Sequence, residues 1–367
     1  MRKAVWFILI FLLTIDIVGA QTTPREYFRV AKYKLDNSDY QSALDFINSA
    51  IVSDSTYMNA YLLRAEINFH LGYFNSTIND IDKAFSFDPQ EGKYMSKYYL
   101  LRGQAYRMIN KKYAASKDIE ITLSLENRNA EAYYERAMLY NQEGKYREAL
   151  HDMNKAIEIH ADIPEYYSFR ANIKQTLFNP LPGTPSFESL LADINVAIAL
   201  DPDNYEYYKF RFRLMKEEKQ KTIILINELN TIIAHFPDQH DMFVERGILN
   251  LNNFLYKEAI RDFTQAIELN DTQANAYRFR GLCYHNINKH TKAIQDFSTT
   301  IRIIEKKLIN EYDNTKHVTI LADTYIQRGY SYQISQHNQE ACKDFLRAYN
   351  LGSKNGLNYY KKFCRGF

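Results

Sequence analysis

The chain has 367 residues, enough for two or three ordinary domains or for one extended repeat array. With 46% hydrophobic and 25% charged residues, its composition is that of a folded protein and excludes a disordered one. Its 46 basic residues are nearly balanced by 44 acidic ones, so no basic field marks a nucleic-acid binder.

The first stretch stands apart. Arg2 and Lys3 precede an apolar run from Ala4 to Ile15, and Val18, Gly19 and Ala20 put small residues ahead of Gln21. This is the layout of a secretory signal peptide over residues 1–20, with an uncleaved anchor as the other reading. The run is shorter than the roughly 20 apolar residues of a membrane span. The expectation is export to the periplasm or cell envelope, with no stable membrane span after processing. Trp6, the only Trp, would leave with the segment.

From residue 21 to 352 the chain repeats itself. The stretch 129–162 reads as two amphipathic helices joined by a turn at Gly144, and its pattern recurs in a 34-residue frame whose fourth position is Tyr133. Nine units follow, starting near residues 24, 58, 96, 130, 164, 205, 240, 274 and 322, with a C-terminal capping helix expected within 353–367. The fifth carries a proline-rich turn at 179–185. The sixth is the most divergent, with Phe212 where a small residue is usual. A charged stretch from Glu305 to His317 sets the ninth apart.

The pattern is physically coherent. Each helix carries one apolar stripe. Ala or Gly fills the eighth position in eight of the nine units, letting antiparallel helices approach closely, while Tyr or Phe at the fourth packs between units. Asp88-Pro89 and Asp201-Pro202 end helices, because the residue before Pro avoids the α region. A single hairpin cannot bury its own apolar face, whereas stacked neighbours make a continuous core.

An Arg at position seven recurs with an Asp at position twenty-three: Arg64/Asp80, Arg102/Asp118, Arg136/Asp152, Arg170/Asp193, Arg246/Asp262, Arg280/Asp296 and Arg328/Asp344. A position repeated through an array is structural, so these pairs are read as staples rather than as catalytic carboxylates. Arg211 faces Asn227 in the same frame and is expected to lack an ionic partner. Cys342 and Cys364 are placed to form a disulfide in an oxidising compartment, leaving Cys283 over; three buried thiols are the other reading. His235, His240 and Asp241 cluster in one turn and read more readily as solvated loop residues than as a metal site. No nucleophile–base set, phosphate loop or metal motif stands out, so no catalytic residue, metal or cofactor is expected.

The period, the hairpin and the small and aromatic positions, in register from about Pro24 to Gly352, resemble the tetratricopeptide-repeat family. The departures are Tyr where the family usually has Trp, the swollen fifth turn and the weak sixth unit. The resemblance implies an all-α, right-handed superhelical solenoid of about nine helix-turn-helix units. It also implies that first-helix positions line a concave groove where a partner protein or peptide binds. On that mapping the candidate binding residues are Phe69, Arg107, Tyr134, Met138, Asn172, Gln175, Lys209, Arg213, Arg278 and Tyr330. Some relatives clamp a chaperone tail with Lys at position five and Asn at position nine of one unit; no unit here has both. The expected role is a non-catalytic interaction scaffold, with a glycan or small-molecule binding module using the same groove as the alternative. The segments that break the repeat are where function is expected to concentrate.

Overall fold

The computed structural model describes residues 22–87, 93–178, 184–310 and 315–364. The expected signal segment 1–20, Asp88-Pro89 and most of the proline-rich turn lie outside the described residues. Among the described residues there are nineteen α-helices, one short 3₁₀ turn and no strand. The first unit, Met1–Asp201, holds five hairpins: α1 (Pro24–Asp36) with α2 (Tyr40–Ser53), α3 (Met58–His70) with α4 (Phe74–Phe87), α5 (Ser96–Met108) with α6 (Lys112–Leu125), α7 (Ala130–Gln142) with α8 (Tyr146–Ile159), and α9 (Pro164–Leu177) with α10 (Phe187–Leu200). The second unit, Pro202–Phe367, holds α11 (Tyr205–Glu217) with α12 (Thr222–His235), α13 (His240–Asn252) with α14 (Tyr256–Leu269), α15 (Ala274–Asn286) with α16 (His290–Asn310), α17 (Thr315–Ile334) with α18 (Asn338–Asn350), and the single helix α19 (Lys354–Phe363).

Several helices start or stop at recognisable local signals. Thr23 caps α1 in a capping box with Glu26, and Pro24 takes the first helical position. Asn129, Ser186, Asn204 and Ser353 cap α7, α10, α11 and α19 through their side-chain oxygens. First helices other than α9 end in one recurring turn: one residue in the left-handed region, then a backbone N–H that donates to the carbonyl five residues earlier. Examples are Tyr73 to Asn68, Lys145 to Tyr140 and Leu255 to Asn250, at 2.8, 2.8 and 2.9 Å. Gly72 and Gly144 adopt that conformation freely, but Phe254 and Lys219 hold it with φ of 61° and 53°.

Packing between the paired helices follows a compensated pair of positions. Where the eighth residue is Ala, the facing second-helix residue is an aliphatic such as Ile81, Met153 or Ile194, all fully buried. Where it is Gly247, Gly281 or Gly329, a fully buried Phe263, Phe297 or Phe345 fills the space. A Cβ added at any of these three glycines would meet the phenyl ring at 2.7–2.8 Å.

Two local departures from the sequence reading have physical causes. In the α11–α12 hairpin the second helix begins one residue late, at Thr222, so its buried face shifts to Leu225, Leu229 and Ile232. The charged stretch from Glu305 to His317 is not a separating insertion: α16 and α17 are lengthened to 21 and 20 residues, with 311–314 outside the described residues. Ile304, where the extension begins, and Ile301 one turn before it pack with Leu321 and Tyr325. At the C-terminus, Cys342 and Cys364 are joined in a disulfide with Cα atoms 5.7 Å apart. That bond holds α19 where Tyr359 and Phe363 pack on Phe345.

Within each unit several first helices of successive hairpins touch directly: α1–α3, α3–α5 and α5–α7 in the first, α13–α15 and α15–α17 in the second.

Candidate functional site

Every described Arg/Asp pair is a two-pronged ion pair. Arg136 donates from Nε and Nη2 to Asp152 at 2.7 and 2.9 Å, and Arg328 does the same to Asp344 at 2.7 and 2.8 Å. Arg64–Asp80, Arg102–Asp118, Arg170–Asp193, Arg246–Asp262 and Arg280–Asp296 repeat this geometry. The Asp side chains are buried, with Asp152 only 2% exposed against 22% for Arg136. Asp152 hydrogen bonds hold the Arg136 guanidinium above its ordinary range, against the effect of burial. Burial pushes the Asp344 carboxyl up, although Arg328 draws it down.

The third arm of these arginines reaches back to the preceding hairpin. Arg64 Nη1 donates to Asn48 at 2.9 Å, Arg102 to Asp82, Arg170 to Asn154, Arg246 to Asn230, Arg280 to Thr264 and Arg328 to Ser298. Each of these six arginines therefore ties one hairpin shut and stitches it to its predecessor, whereas Arg136 bonds Asp152 alone among the described residues. Sequence reasoning missed this second contact; the signal was a recurring polar residue two positions after the repeated Asp. The position-four tyrosines add another tie: Tyr61, Tyr133 and Tyr167 donate their hydroxyls to backbone carbonyls six residues upstream. That bond suits a phenol. Arg211 needs a correction. It is not left facing Asn227 but bonds Glu228 at 2.8 Å, because the longer turn moves the acidic position on by one residue.

The candidate groove residues divide into those already engaged and those still open. Arg107 pairs with Glu135 of the next hairpin. Tyr134 packs against Tyr166 and Phe169, at ring-centroid distances of 5.0 and 5.6 Å. Phe69 lies edge-on to Phe74, and Met138 and Gln175 are partly buried. Tyr330 is a second correction. Expected on an open groove, it is instead packed among Phe345, Tyr359 and Phe363, because α19 closes over it. Asn172, Lys209 and Arg213 are exposed on first helices.

Lys209 and Arg213 belong to a cleft of about 320 Å³ between α11 and α13, lined also by Phe210, Phe212, Lys216, Met242 and Glu245. Its cations are mostly countered across the cleft: Lys216 bonds Glu245 at 2.5 Å and Lys209 lies 3.5 Å from Asp241. Asp241 also accepts from the Tyr205 hydroxyl at 2.6 Å. Arg213 instead lies over the Phe210 ring, 4.8 Å from its centroid.

Arg278 on α15 differs from every staple arginine. It is partly buried, yet its buried Nε has no hydrogen-bond partner among the described residues. Its guanidinium stacks on Phe279 at 4.5 Å. Burial holds its pKa below the ordinary value, and Asp323 on α17 offsets this only in part.

Groups of other chemistry are placed as follows. Burial pushes the Cys283 thiol up to about 12, so it is no thiolate nucleophile. His235 bonds Asp203 and His240 bonds Asn270. Among the described residues no cluster of three His, Cys, Asp or Glu could hold a metal ion. No described helix is long and apolar enough to cross a membrane.

Comparison with known proteins adds the family signal. Two family models, both described as tetratricopeptide repeat, match residues 130–162 and 245–304. The chain is 22% identical over 265 residues to human DnaJ homolog subfamily C member 7, covering 72% of this chain and 46% of that protein. It is 24% identical over 130 residues to the human mitochondrial import receptor subunit TOM70, covering 35% of this chain and 21% of that protein. It thus spans less than half the length of both relatives. Among solved structures, a tetratricopeptide repeat protein from Parabacteroides merdae ATCC 43184 aligns with a TM-score of 0.46 at 16% identity, covering 72% of this chain and 99% of that one. PilW, a type IV pilus biogenesis factor, aligns with a TM-score of 0.49 at 15% identity, covering 60% and 96%.

Proposed function

We propose that this chain, which belongs to the tetratricopeptide-repeat proteins, is a non-catalytic scaffold that takes a partner protein or peptide on the face formed by its first helices. The observation that carries the reading is the α11–α13 cleft. There, exposed Lys209 and Arg213 stand beside Phe210, Phe212 and Met242 in the hairpin that departs most from the repeat. Apolar floor with cations at the rim is the composition of a peptide-binding surface, and Arg and aromatic residues are enriched where binding energy concentrates. Elsewhere the polar side chains of the first helices are largely consumed in ties between hairpins.

The reading extends to place. Residues 1–20 carry the layout of an export signal, so the partner is proposed to lie in the cell envelope. Processed protein would begin at Gln21, lack Trp6 and emit as tyrosine alone. Tryptophan emission together with a Met1 N-terminus would contradict export.

The binding proposal is tested with Lys209→Ala/Arg213→Ala. A partner that co-purifies stoichiometrically with the wild type should be lost from the variant at unchanged melting temperature. Undiminished co-purification would move the site off this cleft.

A further inference from the structure

The α15–α17 face holds an uncompensated cation of a kind found at none of the staple positions. Arg64, Arg102, Arg136, Arg170, Arg246, Arg280 and Arg328 each have a bidentate carboxylate. Arg278 has neither an ion pair nor a hydrogen bond among the described residues, although its Nε is withdrawn from water. Asp323 is the charged group it faces, and the two are not within ion-pair distance. A guanidinium in this setting lacks the anion that would offset its desolvation.

Helical spacing defines the surroundings. Arg278, Leu282 and His285 fall at i, i+4 and i+7 on α15, and Asp323, Gln327 and Ser331 at i, i+4 and i+8 on α17. The stripes face each other, since His285 Nδ1 and Ser331 Oγ lie 2.8 Å apart at one end and Arg278 feels Asp323 at the other. Gln327 stands between, and its buried Oε1 is also without a partner. The face therefore offers a spare cationic donor, a spare acceptor and an apolar Leu282 between them.

We propose that this face binds an internal acidic residue of the partner, its side-chain carboxylate taken by Arg278 and an adjacent backbone N–H taken by Gln327. The inference rests on the scaffold reading above and names the partner's chemistry at a second place on the same kind of face. A chain-terminal carboxylate fits less well. One turn on from Arg278 the helix presents Leu282 rather than a second donor, and the other spare group is an acceptor. Binding would turn the two side chains toward the ligand and satisfy both at once.

The test uses the full processed chain and three probes: an N-acetylated, C-amidated triglutamate peptide, its triglutamine analogue, and N-acetyl-triglycine with a free terminus. The expected result is triglutamate binding that shifts the Arg278 Nε–H resonance and weakens about tenfold or more in Arg278→Gln, while Arg261→Gln, exposed on the second helix α14, is unaffected. Triglutamine or free-terminus triglycine binding as tightly as triglutamate would overturn the proposal, as would undiminished binding to Arg278→Gln. Failure here leaves the scaffold reading standing if partner capture through Lys209 and Arg213 persists. Loss of partner capture in the wild type would sink the scaffold reading itself.

Discussion

At the scale of single residues, the arginine staples are held by pairing. A buried carboxylate costs desolvation that its partner must offset, and Asp152 is almost fully buried. Arg136→Met leaves that carboxylate alone and should cost about 3 kcal/mol, the low end of the usual range because Arg136 keeps some exposure. Arg136→Met/Asp152→Leu, which removes both charges, should recover much of the loss. An unchanged melting temperature in the single variant would contradict the staple role. His285 gives a second residue-level test. Burial first, and then His290, hold its folded-state pKa below the ordinary histidine value of about 6.5. The unfolded chain binds that proton more readily, so the stabilising contribution is complete above the ordinary value and is lost as pH falls through it. Denaturant midpoints measured at about pH 7.5 and about pH 5.5 should fall with pH, and His285→Gln should flatten the difference. An equal pH dependence in that variant would place the effect elsewhere.

At the scale of elements, hairpin geometry is set by volume exchange across two positions. Gly281→Ala would drive a methyl into Phe297, which its ideal Cβ meets at 2.8 Å. The expected cost is about 1–3 kcal/mol, with rescue by Phe297→Leu in the double variant. Gly103 faces Ile119 rather than a ring, with its Cβ at 3.1 Å, so Gly103→Ala should cost much less. Equal costs would mean that the ring is not what demands glycine. Much at this scale was legible in the sequence, because nine imperfect copies in register expose a position by repetition. Seven arginine–aspartate pairs could be named for that reason. Arg211–Glu228 could not, because one added turn residue shifts a whole second helix without changing its composition. The return contacts to Asn48, Asn154 and Ser298 were hidden too, since a polar residue on a second helix looks like solvated surface until the neighbouring hairpin is stacked on it. Tyr330 was misplaced because its covering helix belongs to no repeat.

At the scale of the whole molecule, regular and irregular segments divide the labour. The hairpin nearest the shared pattern, α7–α8, carries ties that close and stack it, whereas the candidate binding residues with open polar groups, Asn172, Arg213 and Arg278, lie on α9, α11 and α15. The position of Arg278 on the first-helix face was legible in the sequence. Its lack of a counterion was not, because that depends on how far Asp323 stands across the face. Partners are proposed to meet the first helices rather than the second. The most direct measurement is photocrosslinking from a benzoylphenylalanine placed at Arg213 on α11 and, separately, at exposed Arg261 on the second helix α14. A single stoichiometric crosslinked species is expected from position 213 and none from 261. Equal crosslinking from both, or crosslinking from 261 alone, would contradict that proposal.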